Sequence, residues 1–146
     1  MSSGLQISLP QSEQEKFRVW VRQQTAQTKR ECRVIVQAAA RKMEHLAVVQ
    51  VPKGYGGGGG IAGSFRVVES RDGLGAMVVN DKHYAPYVEF GTGRYVRVYS
   101  GYESYAWQFK GRGIRKVNLT ARPYFIRNYE LSKKWMIKEL NRIGFR

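Results

Sequence analysis

The sequence predicts an α+β fold, and three observations predict it. Apolar residues recur at three- and four-residue steps across residues 12–49, the spacing changes to that of strands from Ser64, and a second helical stripe runs from Phe125 to Ile143. At 146 residues, 42% hydrophobic and 12% aromatic, the chain reads as a single domain over 1–146 with enough apolar surface for one core. That composition excludes the disordered and collagen-like classes despite 16 glycines.

Residues 1–11 read as an N-terminal arm. Ser12 with Glu15 three positions on has the form of a capping box, which predicts a helix starting there. Phe17, Trp20, Val21, Thr28, Cys32, Ile35, Ala39, Met43 and Leu46 then form one apolar stripe, and Pro52 and Gly54 end it. A continuous helix over 12–49 is roughly 55 Å long at about 1.5 Å per residue. The alternative is a break at residues 23–27, where the stripe turns polar. Such a helix packs on its own sheet or uses its excess length against other subunits.

Gly54-Tyr55-Gly56-Gly57-Gly58-Gly59-Gly60 has no Gly-Lys-Ser or Gly-Lys-Thr after it and no strand pattern before it. Residues 53–63 are therefore read as a flexible glycine-rich loop and not a phosphate loop. Phe65-Arg66-Val67-Val68-Glu69, a turn at Arg71-Asp72-Gly73, and Ala76-Met77-Val78-Val79 predict a β-hairpin. Tyr84 to Phe90 suits a short helical turn closed by Gly91 in the left-handed conformation. Residues 95–99, 104–109 and 114–119 are strand-like and separated by Ser100-Gly101 and Lys110-Gly111-Arg112-Gly113, which brings the antiparallel sheet to about five strands. Ala121-Arg122-Pro123 interrupts the sheet, and Phe125, Tyr129, Met136, Leu140 and Ile143 predict the C-terminal helix.

Lys plus Arg number 25 against 11 Asp plus Glu, a net charge of +14, so a polyanion or an acidic surface is the expected neighbour. Cys32 is the one cysteine, and with His45 and His83 as the two histidines neither a disulfide framework nor a structural zinc site is expected. The expected setting is a reducing cytoplasm, with no leader and no membrane span. An enzyme reading starts from His83, near Tyr84, Glu89 and Arg94, in the manner of a small basic nuclease; no second constellation joins it, and no catalytic residue or cofactor is assigned. Cys32, on the apolar stripe, reads as packing.

Basic residues are unevenly placed. Between Phe90 and Tyr129, Arg94, Arg97, Lys110, Arg112, Arg115, Lys116, Arg122 and Arg127 stand against one acid, Glu103, and Tyr95, Tyr99, Tyr102, Tyr105, Trp107 and Phe109 interleave with them. This is either a nucleic-acid face, with cations on phosphates and rings on bases, or a sheet with an aromatic core side and a solvated basic side.

The string Tyr84-Ala85-Pro86-Tyr87-Val88-Glu89-Phe90-Gly91-Thr92, followed after an insert by Ala121-Arg122-Pro123-Tyr124-Phe125, resembles the signature of the tail-completion or neck proteins of long-tailed bacteriophages, often labelled putative tail components. Gly63-Ser64-Phe65-Arg66 looks like the family's Thr-Gly-x-Leu-Arg segment, with Ala62 and Phe65 in place of Thr and Leu. The glycine run and the basic aromatic insert over 93–120 depart from the pattern. The resemblance implies a non-enzymatic virion protein of the head-tail joint, assembled in the host cytoplasm. Its implied partners are further copies of itself in a sixfold or twelvefold ring, the head-closure or adaptor ring, the tail terminator or tail tube, and the genomic DNA in the channel. On this reading the motif residues pack the turn or form a subunit interface, and Glu89 caps the turn or pairs with a base such as Arg122, within the subunit or across it. Arg94, Arg97, Lys110, Arg112, Arg115 and Lys116 are then expected to face DNA. The alternative is a stand-alone basic nucleic-acid-binding protein.

Overall fold

The computed structural model describes residues 5–51, 60–82, 85–90 and 123–145. Over these the chain is α+β, with a three-stranded antiparallel sheet, β1 (Leu5–Ile7), β2 (Phe65–Glu69) and β3 (Ala76–Asn80), in the order β1-β3-β2. The helices are α1 (Gln11–Arg22), α2 (Ala26–Gln50), α3 (Ala85–Phe90) and α4 (Ile126–Arg142). The predicted strands over 95–99, 104–109 and 114–119 lie outside the described residues.

The hairpin forms where alternation placed it, with Phe65 opposite Asn80 and Glu69 opposite Ala76. Its turn closes through Ser70, whose N–H donates to Gly75 O at 3.0 Å and whose carbonyl accepts from Gly73 N at 3.1 Å. Gly73 takes φ +72, and a Cβ there meets the Arg33 side chain at 3.2 Å, so the turn needs glycine for both conformation and space. The third strand comes from the segment read as an arm: Leu5 pairs with Asn80 and Ile7 with Val78. Three residues are too few for alternation to register.

The stripe over 12–49 is not one continuous helix. α1 ends with Gln23 as C-cap, and α2 begins with Thr25 as N-cap, its Oγ1 accepting from Thr28 N at 3.2 Å. The polar residues at the break supply that cap. Ser12 is not the N-cap of α1: that position is Pro10, extended at φ −53 and ψ 146, with no side-chain cap bond, and Glu15 lies 3.7 Å from Arg22. Val51 is extended at φ −61 and ψ 137, as the residue before a proline tends to be, and α2 stops there. The stretch read as loop over 53–63 ends in structure: Ile61 is 1% exposed and leads into a 3-10 turn at Ala62–Ser64.

Two apolar clusters form the core. One gathers Ala40, Met43, Ala47, Val51, Ile61, Val78, Ala85, Tyr124, Phe125 and Ile126; the other gathers Phe17, Val21, Cys32, Val36, Ala39, Met136 and Leu140. α2 contributes to both and packs against α4, α1 and the sheet. A cavity of about 840 Å³ lies between them, walled by Phe17, Val36, Met43, Val78, Met136 and Leu140 among others. Cys32 is buried in the second cluster, its thiol pushed up by burial, in keeping with the packing role read from the stripe.

Candidate functional site

The two halves of the sequence motif meet at one carboxylate. Glu89 sits on α3, fully buried. Its Oε2 accepts the backbone N–H of Tyr124 at 2.7 Å and of Phe125 at 2.9 Å, and its Oε1 accepts that of Ile126 at 3.1 Å. The Ile126 N–H is the first of α4 and the other two belong to its N-cap residue, Phe125, and to Tyr124 just before it; the N-cap makes no side-chain cap bond of its own. Unpartnered donors at a helix start attract an anion, so a carboxylate from 35 to 37 residues away does the work of a local Ser or Asp. Burial pushes the Glu89 carboxyl above its ordinary value, while the three N–H groups and the Arg127 guanidinium pull against that rise.

The neighbours hold the latch in register. Tyr124 Oη donates to Ala85 O at 3.0 Å, tying the start of α4 to the start of α3. Phe125 stacks on Phe65 with centroids 6.1 Å apart and planes at 15°, fixing the same corner to β2. Asn128, fully buried, donates from Nδ2 to Tyr124 O at 2.6 Å and to Gln50 Oε1 at 3.2 Å, linking α4 to the end of α2.

Of the motif residues, Ala85, Pro86, Glu89, Tyr124 and Phe125 are buried together, and Pro123 is half-buried. Glu89 caps, as one reading held, but it caps α4 and not its own turn; its other expected partner, Arg122, lies outside the described residues, as do Tyr84, Gly91, Thr92 and Ala121 and the side chains of Tyr87, Val88 and Phe90. His83 and the channel candidates Arg94, Arg97, Lys110, Arg112, Arg115 and Lys116 also lie outside. Sequence reasoning passed over Tyr124, Asn128 and Asn80. Tyr124 stood in the Pro-Tyr-Phe string, and a polar Asn on the apolar face of α4 was a signal for Asn128. Asn80 is fully buried at the end of β3 and donates to Ile61 O at 2.7 Å.

A second carboxylate organises the hairpin tip. Asp72 receives Arg18 Nε at 2.8 Å and Nη2 at 3.4 Å, Ser70 Oγ at 2.6 Å and Leu74 N at 3.1 Å. Arg33 Nε donates to Asp72 O at 2.9 Å and Gln37 Nε2 to Gly73 O at 3.1 Å, so α1 and α2 both grip the turn. The Arg18 guanidinium, helped by Ser70 and Leu74, holds the Asp72 carboxyl far below the usual carboxylate range.

Among the described residues no group of three metal-ligating side chains comes together, and no helix is long and apolar enough to cross a membrane. Among the described residues Glu89 is engaged with backbone donors and joins α3 to the start of α4. Compared with protein-family models, with curated proteins and with solved structures, the chain matches none.

Proposed function

We propose that this chain is a structural protein of the phage neck, which completes the tail and joins it to the DNA-filled head as part of a closed ring. The observation that carries the reading is the pairing of the two motif strings. Val88-Glu89-Phe90 and Pro123-Tyr124-Phe125 both resemble the tail-completion signature, and they are bound to each other through Glu89 and Tyr124. A corner built in this way from two distant segments gives a reason for both strings to occur in one chain. On this reading the strand-like runs over 95–99, 104–109 and 114–119 extend the sheet beyond its three described strands, and Arg94, Arg97, Lys110, Arg112, Arg115 and Lys116 face the DNA channel. The net charge of +14 suits a lining beside a phosphate backbone.

The test is electron microscopy of lysates from a phage carrying an early nonsense codon in this gene, beside wild type. Filled heads separate from tails are the expected result; complete joined virions overturn it. The net charge also favours a second reading, a stand-alone nucleic-acid-binding protein. Joined virions together with tight, salt-dependent DNA binding select that one.

A further inference from the structure

We infer that the elbow between α1 and α2 is a phosphate-binding pocket that takes the backbone of duplex nucleic acid. A pocket of about 230 Å³ opens there, walled by Arg18, Arg22, Lys29 and Arg33 with Asp72, over an apolar floor of Val21 and Leu74. Four cations surround one carboxylate, and that carboxylate is already committed to Arg18 at 2.8 Å. The other three charges are left largely unmatched. Among the described residues Arg33 donates from Nε alone, and to a neutral carbonyl, so its charge on the pocket wall meets no carboxylate. Lys29 and Arg33 have no carboxylate within ion-pair distance among the described residues. Arg22 has Glu15 at 3.7 Å, an exposed pair that screens little of its charge.

The fold forces this crowding. The break at residues 23–25 turns α2 back so that the last turn of α1 and the first turns of α2 face one space, and Lys29 and Arg33 stand one turn apart on the same face, where like charges repel. A bound anion removes that repulsion. Guanidinium forks match the oxygens of a phosphate, and Asp72 fixes Arg18 as a rigid wall. Among the described residues no aromatic ring lines the pocket to stack on an unpaired base, and its guanidinium and ammonium groups suit the sugar-phosphate backbone. The assignment lies outside the 93–120 segment and stands on its own whether or not the neck reading holds.

The test is binding of a fluorescein-labelled duplex DNA by the full chain, followed by anisotropy across a salt series, for wild type, R22S/K29S and a charge-matched control, K134S/K138S. Lys134 and Lys138 are exposed on α4, and none of the four substitutions touches the Arg18–Asp72 or Arg33 grip, so unchanged melting temperatures are expected. R22S/K29S is expected to weaken binding about tenfold and to flatten the salt slope by about one to two, while the control keeps the slope of wild type. Equal losses in both variants overturn the site in favour of diffuse attraction, and so does no loss in either. Two further arms separate the sources of anion. Polyglutamate displacing the duplex as well as unlabelled DNA does at equal charge overturns the assignment to a nucleic acid. Inorganic phosphate stabilising wild type beyond chloride of equal ionic strength, with DNA binding unchanged in R22S/K29S, overturns it in favour of a free-anion site.

Discussion

Glu89 and Asp72 each gather several hydrogen-bond donors, Glu89 in the core from one segment 35 to 37 residues on, Asp72 at a hairpin tip from Arg18, 54 residues back, and from its own turn. Glu89 is fully buried and, among the described residues, its hydrogen bonds come from backbone N–H groups; the Asp72 side chain is 42% exposed and meets a guanidinium, a hydroxyl and one N–H. Their carboxyls move in opposite directions, Glu89 upward because burial dominates and Asp72 downward because Arg18 dominates. The difference teaches that the cost of losing a carboxylate depends on what its donors do afterwards. At the hairpin, water and salt replace it. In the core nothing does, and three N–H groups are left without partners.

The largest expected effect follows from that contrast. E89A is expected to lower unfolding stability by about 3 kcal/mol or more, since each orphaned buried donor costs about 1–3 kcal/mol. E89Q, whose amide oxygen still accepts while its –NH2 confronts donors, falls between E89A and wild type. Urea denaturation followed by circular dichroism measures both, and losses for E89A no greater than for D72N break the comparison.

A buried hydroxyl sharpens it from the other side. Ser132 Oγ lies on the cavity between the two clusters and has no partner among the described residues. Burial of a polar group without donors or acceptors is unfavourable, so S132A is expected to raise stability by about 1 kcal/mol. A loss of that size in the same denaturation series contradicts the account of this site.

D72N carries a smaller effect, below about 1 kcal/mol, because the Arg18 pair is partly solvated, and the difference shrinks further at high salt. Its pH dependence has a fixed sign. Asp72 titrates lower folded than unfolded, so its contribution is intact above the ordinary Asp value near 3.9 and is lost as pH falls from there. Wild type and D72N therefore converge on acidification. Glu89 titrates higher folded than unfolded, so its ionisable contribution is complete below the ordinary Glu value near 4.3 and declines as pH rises through the folded value. The gap between wild type and E89Q accordingly narrows as pH rises. Parallel trends in the two pairs, read from melting temperatures across pH 2 to 8, break the contrast.

How far the sequence displayed these features depended on distance along the chain. The hairpin was legible because alternating residues flank Arg71-Asp72-Gly73, all within one short window. The C-terminal helix was legible through periodicity, whereas the N-terminal stripe read first as one long helix, with a break at residues 23–27 as the alternative that the structure bears out. β1 was not, because three residues carry no period and its partner, β3, lies some seventy residues on. The start of α1 was misread because Pro10, with its fixed φ, takes the cap position two residues ahead of Ser12. Glu89 read either as a cap of its own turn or as the partner of a base such as Arg122, and its observed target depends on a contact spanning 35 residues that no local pattern encodes.

Amide hydrogen exchange at Tyr124, Phe125 and Ile126, in wild type and E89Q, tests most directly whether the Glu89 carboxylate ties the two motif segments together. Strong protection at all three amides in wild type, falling selectively at these positions in E89Q while the hairpin amides of Val68 and Met77 keep theirs, is the predicted result. Equal protection in the two proteins, or fast exchange at these amides in wild type, contradicts it.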